Sequence, residues 1–319
     1  MGKLIANIIC GFIPSKKWRY KVRNIVIGFG IAFDHFRAIR KEPKLKFKHY
    51  LSVCAIAKNE GCYFREWIEF HRLVGVEKFY IYDNESSDDT KKILEPYIES
   101  GLVEYIFWPG ERQQEPVYDD CAAKHKCDTK WLAIIDLDEF IVPIETKTIP
   151  EFLRKLSPKV TQLMIGWFVY GSSGREKKPG GLVMENFRRR GKDDASPYPK
   201  SIVNPRMAYK FNCHVHSVSG RTIDENGTVF FSYEERRGLL FFPPWPESPI
   251  PKNKIRVNHY LCKSWEEYRL RRARGDAWHG VRAGERYTRS LFDACDKNDI
   301  LDPIMDKYVG PVKKALKSL

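Results

Sequence analysis

The sequence predicts an α/β fold with a mostly parallel central sheet and a basic N-terminal helical appendage. Three observations carry this reading. Between residues 50 and 142, apolar runs of strand length alternate with stretches whose apolar residues recur at helical spacing, the rhythm of repeated βαβ units. Polar clusters fall just after three of those apolar runs. Residues 1–48 hold twelve Lys or Arg against two acids, Asp34 and Glu42, so most of the net charge of +14 resides there.

At 319 residues, 43% hydrophobic and 13% aromatic, the chain is long enough and apolar enough for a substantial core. Its eight cysteines include no Cys-x-x-Cys pair. Cys54 and Cys262 lie in apolar stretches and read as small buried residues, in keeping with a reduced, cytosolic setting. Beyond residue 48 the chain is close to neutral, which argues against a nucleic-acid-binding body, since that would need a basic groove of its own; no nucleic-acid partner is expected.

Two units are expected: a basic amphipathic segment, 1–48, and a single domain, 49–319. Ser15 is placed to cap a helix over 16–29, with Trp18, Val22, Ile25, Val26 and Phe29 at helical spacing. Lys16, Lys17, Arg19, Lys21 and Arg23 occupy its remaining surface. Such a helix packs on the protein's own body or lies on an anionic membrane surface, where each Lys or Arg contributes roughly 1 kcal/mol. The apolar runs 4–13 and 25–33 are too short and interrupted to span a bilayer. Charge, not a small-residue cleavage site, follows the first run, and Ala6 breaks the myristoylation pattern. The expected location is cytoplasmic, peripheral on the cytoplasmic membrane face.

Within the domain the spacing predicts strands at 51–57, 78–82, 102–107 and 131–135, and helices at 61–74, 89–98 and 115–126. Phe64, Trp67, Ile68 and His71 mark the inner face of the first helix, and Ser86 or Ser87 is available to cap the second. Ligands of such sheets gather beyond the carboxyl ends of the strands. There the chain places Lys58-Asn59-Glu60, Asp83-Asn84-Glu85-Ser86 and Asp136-Leu137-Asp138. Taken singly, Asn59 also reads as a helix cap and Asp83-Asn84 as a turn. Strand alternation would put Asp136 and Asp138 on one side, where two carboxylates repel unless a cation separates them. Mn²⁺ or Mg²⁺ suits such oxygens and completes its shell with phosphate. No Gly-x-Gly-x-x-Gly fingerprint or P-loop is present.

The second half loses this rhythm. Strands are predicted at 161–170 and 254–258 and helices at 182–190 and 264–274, the last opening with the capping-box pattern Ser264-x-x-Glu267. Arg269, Arg271, Arg272 and Arg274 give that helix a basic surface, read as a solvated face or a contact for anionic glycan or lipid. The proline-dense segment 241–251 is excluded from helix and central strand. Cys213-His214-Val215-His216 lacks the second Cys/His pair of a zinc site and reads as structural or acceptor-facing.

Ala55 through Glu60, Glu66-Trp67-Ile-Glu-Phe-His71, Tyr80 through Thr90, Trp131 through Phe140, Tyr170-Gly-Ser-Ser-Gly174, Lys200-Ser-Ile-Val203, Asn258-His259-Tyr260 and Lys263-Ser-Trp-Glu-Glu267 occur in that order. Together they resemble glycosyltransferase family 92 and bacterial family-2-like relatives over roughly residues 50–280. Phe12-Ile-Pro-Ser-Lys-Lys-Trp-Arg19 looks like the leader of bacterial surface-polysaccharide transferases. The resemblance implies a GT-A fold, a nucleotide-sugar donor and a divalent metal, Mn²⁺ or Mg²⁺.

On that footing Asp136 and Asp138 hold the metal, His259 returns as its third ligand, and Asp136 also faces the donor's ribose. Asp83 accepts from base or ribose, the backbone at Ala57 flanks the uracil, and Lys58, Asn59 and Asn84 complete the nucleotide site. Lys263 neutralises the diphosphate, or else is a solvated surface lysine. For an inverting reaction a carboxylate must deprotonate the acceptor; Glu185 is the first choice, with Asp276 and Asp194 as rivals. Trp167, Tyr170, Gly171, Lys200 and Trp245 are assigned to the acceptor side, core packing being the competing role of Trp167. The expected function is metal-dependent, inverting transfer of a hexose-type sugar from a nucleoside-diphosphate donor, UDP foremost, to a cell-surface glycan or glycolipid. The alternatives are a metal-dependent phosphodiesterase or nuclease, or a non-catalytic glycan or nucleotide binder at the membrane.

Overall fold

The computed structural model of the protein describes residues 45–192, 198–230, 249–274 and 288–318, together with 13–15, 18, 19 and 22. Alternate residues of β1 (His49–Ala57) enter two different cores, Leu51, Val53, Ala55 and Ala57 on one face and Cys54 and Ile56 on the other. A strand apolar on both sides needs cover on both. α1 (Gly61–Leu73) supplies Phe64, Trp67, Ile68 and Phe70 to the first core. β2 (Lys78–Asp83) repeats the alternation, Phe79 and Ile81 against Tyr80 and Tyr82. α2 (Thr90–Glu99) follows on the side of α1, then β3 (Val103–Phe107). α3 (Gln114–His125) closes the opposite face with Val117, Tyr118, Cys121 and Ala122. With β4 (Thr129–Ile134) the parallel half is complete, in the order β3-β2-β1-β4. Every element expected between residues 50 and 135 is present, with its ends shifted by at most about two residues.

After β4 the chain turns and continues as β5 (Glu139–Pro143), α4 (Ile149–Arg154) and β6 (Val160–Val169). α5 (Val183–Asn186), β7 (Arg189–Arg190) and β8 (Pro199–Val203) follow. β8 lies antiparallel between β4 and β6, so the sheet is parallel in its first half and mixed beyond. β9 (Ala208–Lys210) pairs with β10 (Ser217–Val218) outside it, and β11 (Arg221–Ile223) and β12 (Val229–Phe230) form its far edge. β13 (Ile255–His259) runs parallel to β6 and antiparallel to β5, with His259 opposite Glu139 and Asn258 opposite Phe140. α6 (Trp265–Arg274), α7 (Arg289–Cys295), β14 (Ile300–Leu301) and α8 (Asp306–Leu316) end the described chain. Among the described residues the main sheet has ten strands.

Three expectations need correction. The helix expected over 182–190 is the single turn α5, after which the backbone extends into β7. Neither Ser86 nor Ser87 caps α2; its first turn is held by Asp88, which accepts from the Thr90 N–H at 3.1 Å. The turn at 136–138 replaces the strand alternation that would have put Asp136 and Asp138 on one side. The predicted capping box, by contrast, is present: the Ser264 hydroxyl accepts from Glu267 N at 3.2 Å while Glu267 accepts from Ser264 N at 3.1 Å. The helix expected over 16–29 lies largely outside the described residues. Among the described residues no helix is long and apolar enough to cross a membrane.

Glu66 fixes α5 to α1, its two oxygens accepting from Val183 N at 2.7 Å and Met184 N at 2.9 Å. Burial raises its carboxyl to about 7, in spite of these two backbone hydrogen bonds. A carboxyl raised in the folded state stabilises the fold fully below its unfolded value and loses that contribution as pH climbs through the folded one. Between about pH 5 and 8, wild-type protein is therefore expected to lose on the order of 2–4 kcal/mol relative to Glu66→Gln. Denaturant midpoints at each pH test this, and parallel pH profiles for the two proteins would refute it.

Candidate active site

The carboxyl ends of β1 and β2 are laced together by side chains that cross between their loops. Asn59, in the left-handed region at φ 52°, accepts at Oδ1 from Ser87 N at 2.7 Å and Asp88 N at 3.3 Å. Its own N–H donates to Ser86 Oγ at 2.9 Å. Asp88 in turn accepts from Gly61 N at 3.0 Å, satisfying an amide at the start of α1 from the neighbouring loop. Asn59 is thus a brace between loops and not the cap of its own helix. Asp83 is buried and accepts from Ser86 N at 2.9 Å and from the Tyr105 hydroxyl. A carboxylate has about four acceptor positions, so these two hydrogen bonds leave acceptor capacity on Asp83. Asn84 spends its amide donors on Trp108 O and Gly110 O, at 2.9 and 2.8 Å, and holds the loop after β3. Lys58 faces Glu85 at 3.9 Å, and Ala57 O accepts from Asn84 N at 2.8 Å.

The acidic run after β4 splits into two groups. Asp136 and Glu139 share Lys200, whose Nζ lies 2.9 Å from Asp136 Oδ2 and 3.2 Å from Glu139 Oε2. Burial alone would depress the Lys200 ammonium, but the two carboxylates outweigh it and hold it well above the usual lysine range. Glu139 Oε2 also accepts from Asp136 N at 3.0 Å, which closes the turn. Burial above all raises Glu139, to about 7.

The second group is Asp138, Glu139 and His259, whose potential ligand atoms lie within 4.8 Å of one another. His259 Nε2 is 3.5 Å from Asp138 Oδ2, and His259 Nδ1 is 4.0 Å from Glu139 Oε1. Arg271 of α6 also contacts Asp138 Oδ2. Burial would raise Asp138, yet Arg271 and His259 together hold it well below the usual carboxylate range. Among the described residues, Asp138 Oδ1, Glu139 Oε1 and His259 Nδ1 are buried without a hydrogen-bond partner. Buried polar atoms ordinarily find partners. Two carboxylates and one imidazole this close together, each with an open polar atom, make a donor set that suits Mn²⁺ or Mg²⁺. The residues fit a divalent ion, with Glu139 beside Asp138 and His259, while Asp136 is turned to Lys200.

The site is supported from behind by α1. Trp67 Nε1 donates to Glu139 O at 2.9 Å, and His71 Nε2 accepts from Ile141 N at 3.3 Å. Burial lowers His71 to about 3, so the ring is neutral and its other nitrogen donates to Trp67 O. Trp67 and His71, both buried, therefore position β5.

Beside this floor opens a cleft of about 450 Å³, lined by the rim residues Asn59, Glu60, Tyr63 and Asp88 and by Lys178, Lys263 and Arg271. Its size falls within the usual range for a small-molecule site. Lys263 is buried, at φ 52°, with its ammonium 4.5 Å from the centre of the Tyr63 ring. Burial lowers its pKa. Tyr63 is fixed by its hydroxyl, which donates to Glu267 at 2.7 Å. Lys263 is thus a cleft residue and not a solvated one.

Several expected residues fall elsewhere. Glu185 turns to Lys313 of α8 at 2.5 Å and does not line the cleft, so its place does not suit proton removal there. Asp276, Asp194 and Trp245 lie outside the described residues. Lys200 is buried beneath the acidic turn and cannot face an acceptor. Gly171 is a packing position, since a Cβ there would meet Lys297 O at 2.4 Å. Trp167 is buried, with its ring 4.5 Å from that of His259 and 5.3 Å from that of His214. His214 stacks on exposed Tyr198 at 5.2 Å. His216 is buried, and its N–H donates to Gln162 at 2.8 Å. Glu139 was not among the expected site residues, and Arg271 was named only as one of four arginines on a basic helix face. Glu139 was hidden by the assumption of strand alternation, and Arg271 by membership of a basic helix face.

Residues 49–261 match glycosyltransferase family 92. A glycosyltransferase family 92 protein of Oryza sativa subsp. japonica is 32% identical over 225 residues, 69% of this chain and 35% of that protein. Beta-1,4-galactosyltransferase galt-1 of Caenorhabditis elegans is 29% identical over 177 residues, 44% of this chain and 42% of that one. Among solved structures, S. aureus TarS 1–349 in complex with UDP aligns with a TM-score of 0.35 at 14% identity, over 50% of this chain and 47% of that chain. The chain belongs to glycosyltransferase family 92. It spans about a third of the length of the rice relative.

Proposed function

We propose that the protein is a metal-dependent, inverting glycosyltransferase that moves a hexose from a UDP donor to a glycan or glycolipid. The observation that carries this reading is the cluster of Asp138, Glu139 and His259, each with a ligand atom within 4.8 Å of the others, near a cleft lined in part by Lys178, Lys263 and Arg271 at the carboxyl rim of the parallel half of the sheet. Asp83 and the braced loops around Asn59 offer fixed acceptors and backbone for the nucleoside. Asp136, held by Lys200, would accept from a ribose hydroxyl. Lys263 would neutralise the diphosphate from a dry wall, where its charge acts more strongly than in water. A bound Mn²⁺ or Mg²⁺ would act as a Lewis acid on the departing diphosphate. Inversion is supported by the β-linkage in the name of the nematode relative, because hexose donors of the UDP-galactose type carry the α linkage.

The test is thermal denaturation against UDP-galactose, UDP-glucose, UDP-N-acetylglucosamine and GDP-mannose, with and without Mn²⁺. A UDP-sugar should raise the midpoint only when Mn²⁺ is present, and the product should carry a β anomeric proton by NMR. No response to any nucleotide with either metal would defeat the reading. Residues 1–48 are proposed to contact an anionic membrane. Vesicles rich in phosphatidylglycerol should sediment the full chain and leave a 49–319 fragment behind, and equal sedimentation would remove that assignment.

A further inference from the structure

Cys62 is the second residue of α1, and its exposed thiol lines the cleft beside the acidic cluster. Lys178 Nζ donates to its Sγ at 3.1 Å, and the same ammonium lies 5.0 Å from the centre of the Tyr63 ring. Lys263 borders that ring too, at 4.5 Å. Its side chain is buried, and among the described residues its ammonium has neither a hydrogen bond nor an ion pair. A buried ammonium without a counter-charge is costly until a ligand supplies one. Three acids line the cleft as well. Asp88 accepts from Gly61 N and Thr90 N, and Glu267 accepts from Tyr63 and Ser264. Neither these two nor Glu60 comes within ion-pair distance of Lys178 or Lys263. An exposed thiol touching one ammonium, with a second and unsatisfied ammonium across a single ring, suits a thiol reagent that carries a carboxylate.

We propose that Cys62 is a site of thiol–disulfide exchange with a small carboxylate-bearing disulfide of the glutathione type, and that the mixed disulfide closes the cleft to the donor. The closure rests on the reading of this cleft as the donor site. The attacking species is the thiolate, and the Lys178 ammonium compensates its charge. Cys62 Sγ, its proton released to solvent, attacks one sulfur of the reagent. The reagent's S–S bond breaks, a new one joins Cys62 to one half, and the other half leaves as a thiolate and takes up a proton. Cys62 is oxidised and the reagent reduced, and a reducing thiol reverses the step. The carboxylate arm of the attached half meets Lys263 across Tyr63, on the ammonium that the diphosphate would otherwise use.

The experiment treats full-length wild type and C62S with glutathione disulfide and, in parallel, with the uncharged 2-hydroxyethyl disulfide. Modification of Cys62 and Cys127 is followed by peptide mass mapping. Cys127 is the other exposed cysteine among the described residues and serves as the internal reference. Glutathione disulfide should modify Cys62 roughly tenfold faster than Cys127, and the uncharged reagent should narrow that preference. Modified wild type should lose the Mn²⁺-dependent stabilisation by UDP-sugar and regain it after dithiothreitol, while C62S keeps it throughout. Equal rates at Cys62 and Cys127, or the same preference with both reagents, overturn the proposal. So does a protein fully modified at Cys62 that binds the donor as before. If unmodified wild type binds no nucleotide, the donor reading fails, and the two rate comparisons still decide for or against the thiol site.

Discussion

Asp138→Asn is expected to eliminate the Mn²⁺-dependent rise in melting temperature with UDP-sugar and to lower transfer by roughly 10²–10³-fold or more. Asparagine preserves the shape of the side chain but removes the charge that Arg271 and His259 now share. One of its polar atoms would also meet the guanidinium with a weaker acceptor or with an amide donor, so some loss of stability is expected as well. Circular dichroism separates the two effects. A folded D138N protein without a metal response supports the site, whereas an unchanged Mn²⁺ midpoint for UDP binding would exclude Asp138 as a ligand.

Lys200→Met should be the most destabilising single change at the site. It removes the cation between Asp136 and Glu139, leaving two carboxylates beside one another, one of them fully buried. Breaking a buried pair in this way costs about 3–5 kcal/mol. Glu139 can relieve part of that cost by taking up a proton, since burial already raises its carboxyl to about 7. The penalty should therefore be smaller near pH 6 than near pH 8, a direction opposite to that of ordinary acid unfolding. Urea titrations at both values check the claim, and a loss independent of pH would show that the carboxylates do not respond as a pair.

The parallel half of the fold was legible because its strands are apolar on both faces and its helices carry an apolar stripe, two patterns with different periods. The rim was legible for the same reason: a polar cluster that ends such a strand has one place to go. Less could be read where the backbone leaves a regular period. Asp136 and Asp138 were expected side by side, but the turn after Ile135 sends Asp136 toward Lys200 and lines up Asp138 with Glu139 and His259. Glu139 closes that turn by accepting from Asp136 N, and the cation that holds both carboxylates, Lys200, lies sixty-four residues from Asp136. Asn59 and Asn84 were correctly located at the rim, yet their hydrogen bonds hold loops, a distinction that composition and spacing do not contain. Arg271 looked like one of several arginines on a wet helix face, and only the packing of α6 turns it inward.

The pairing of β5 with β13 brings the last metal-binding candidate home, because His259 stands across from Glu139 in that ladder. Side chains on neighbouring positions of a strand face opposite ways, so a slip of one residue would swing the imidazole to the wrong surface without altering any residue that binds. Insertions or deletions between positions 255 and 259 should consequently be far more damaging than most substitutions there. The proposed chemistry depends on a ruler as much as on its reagents.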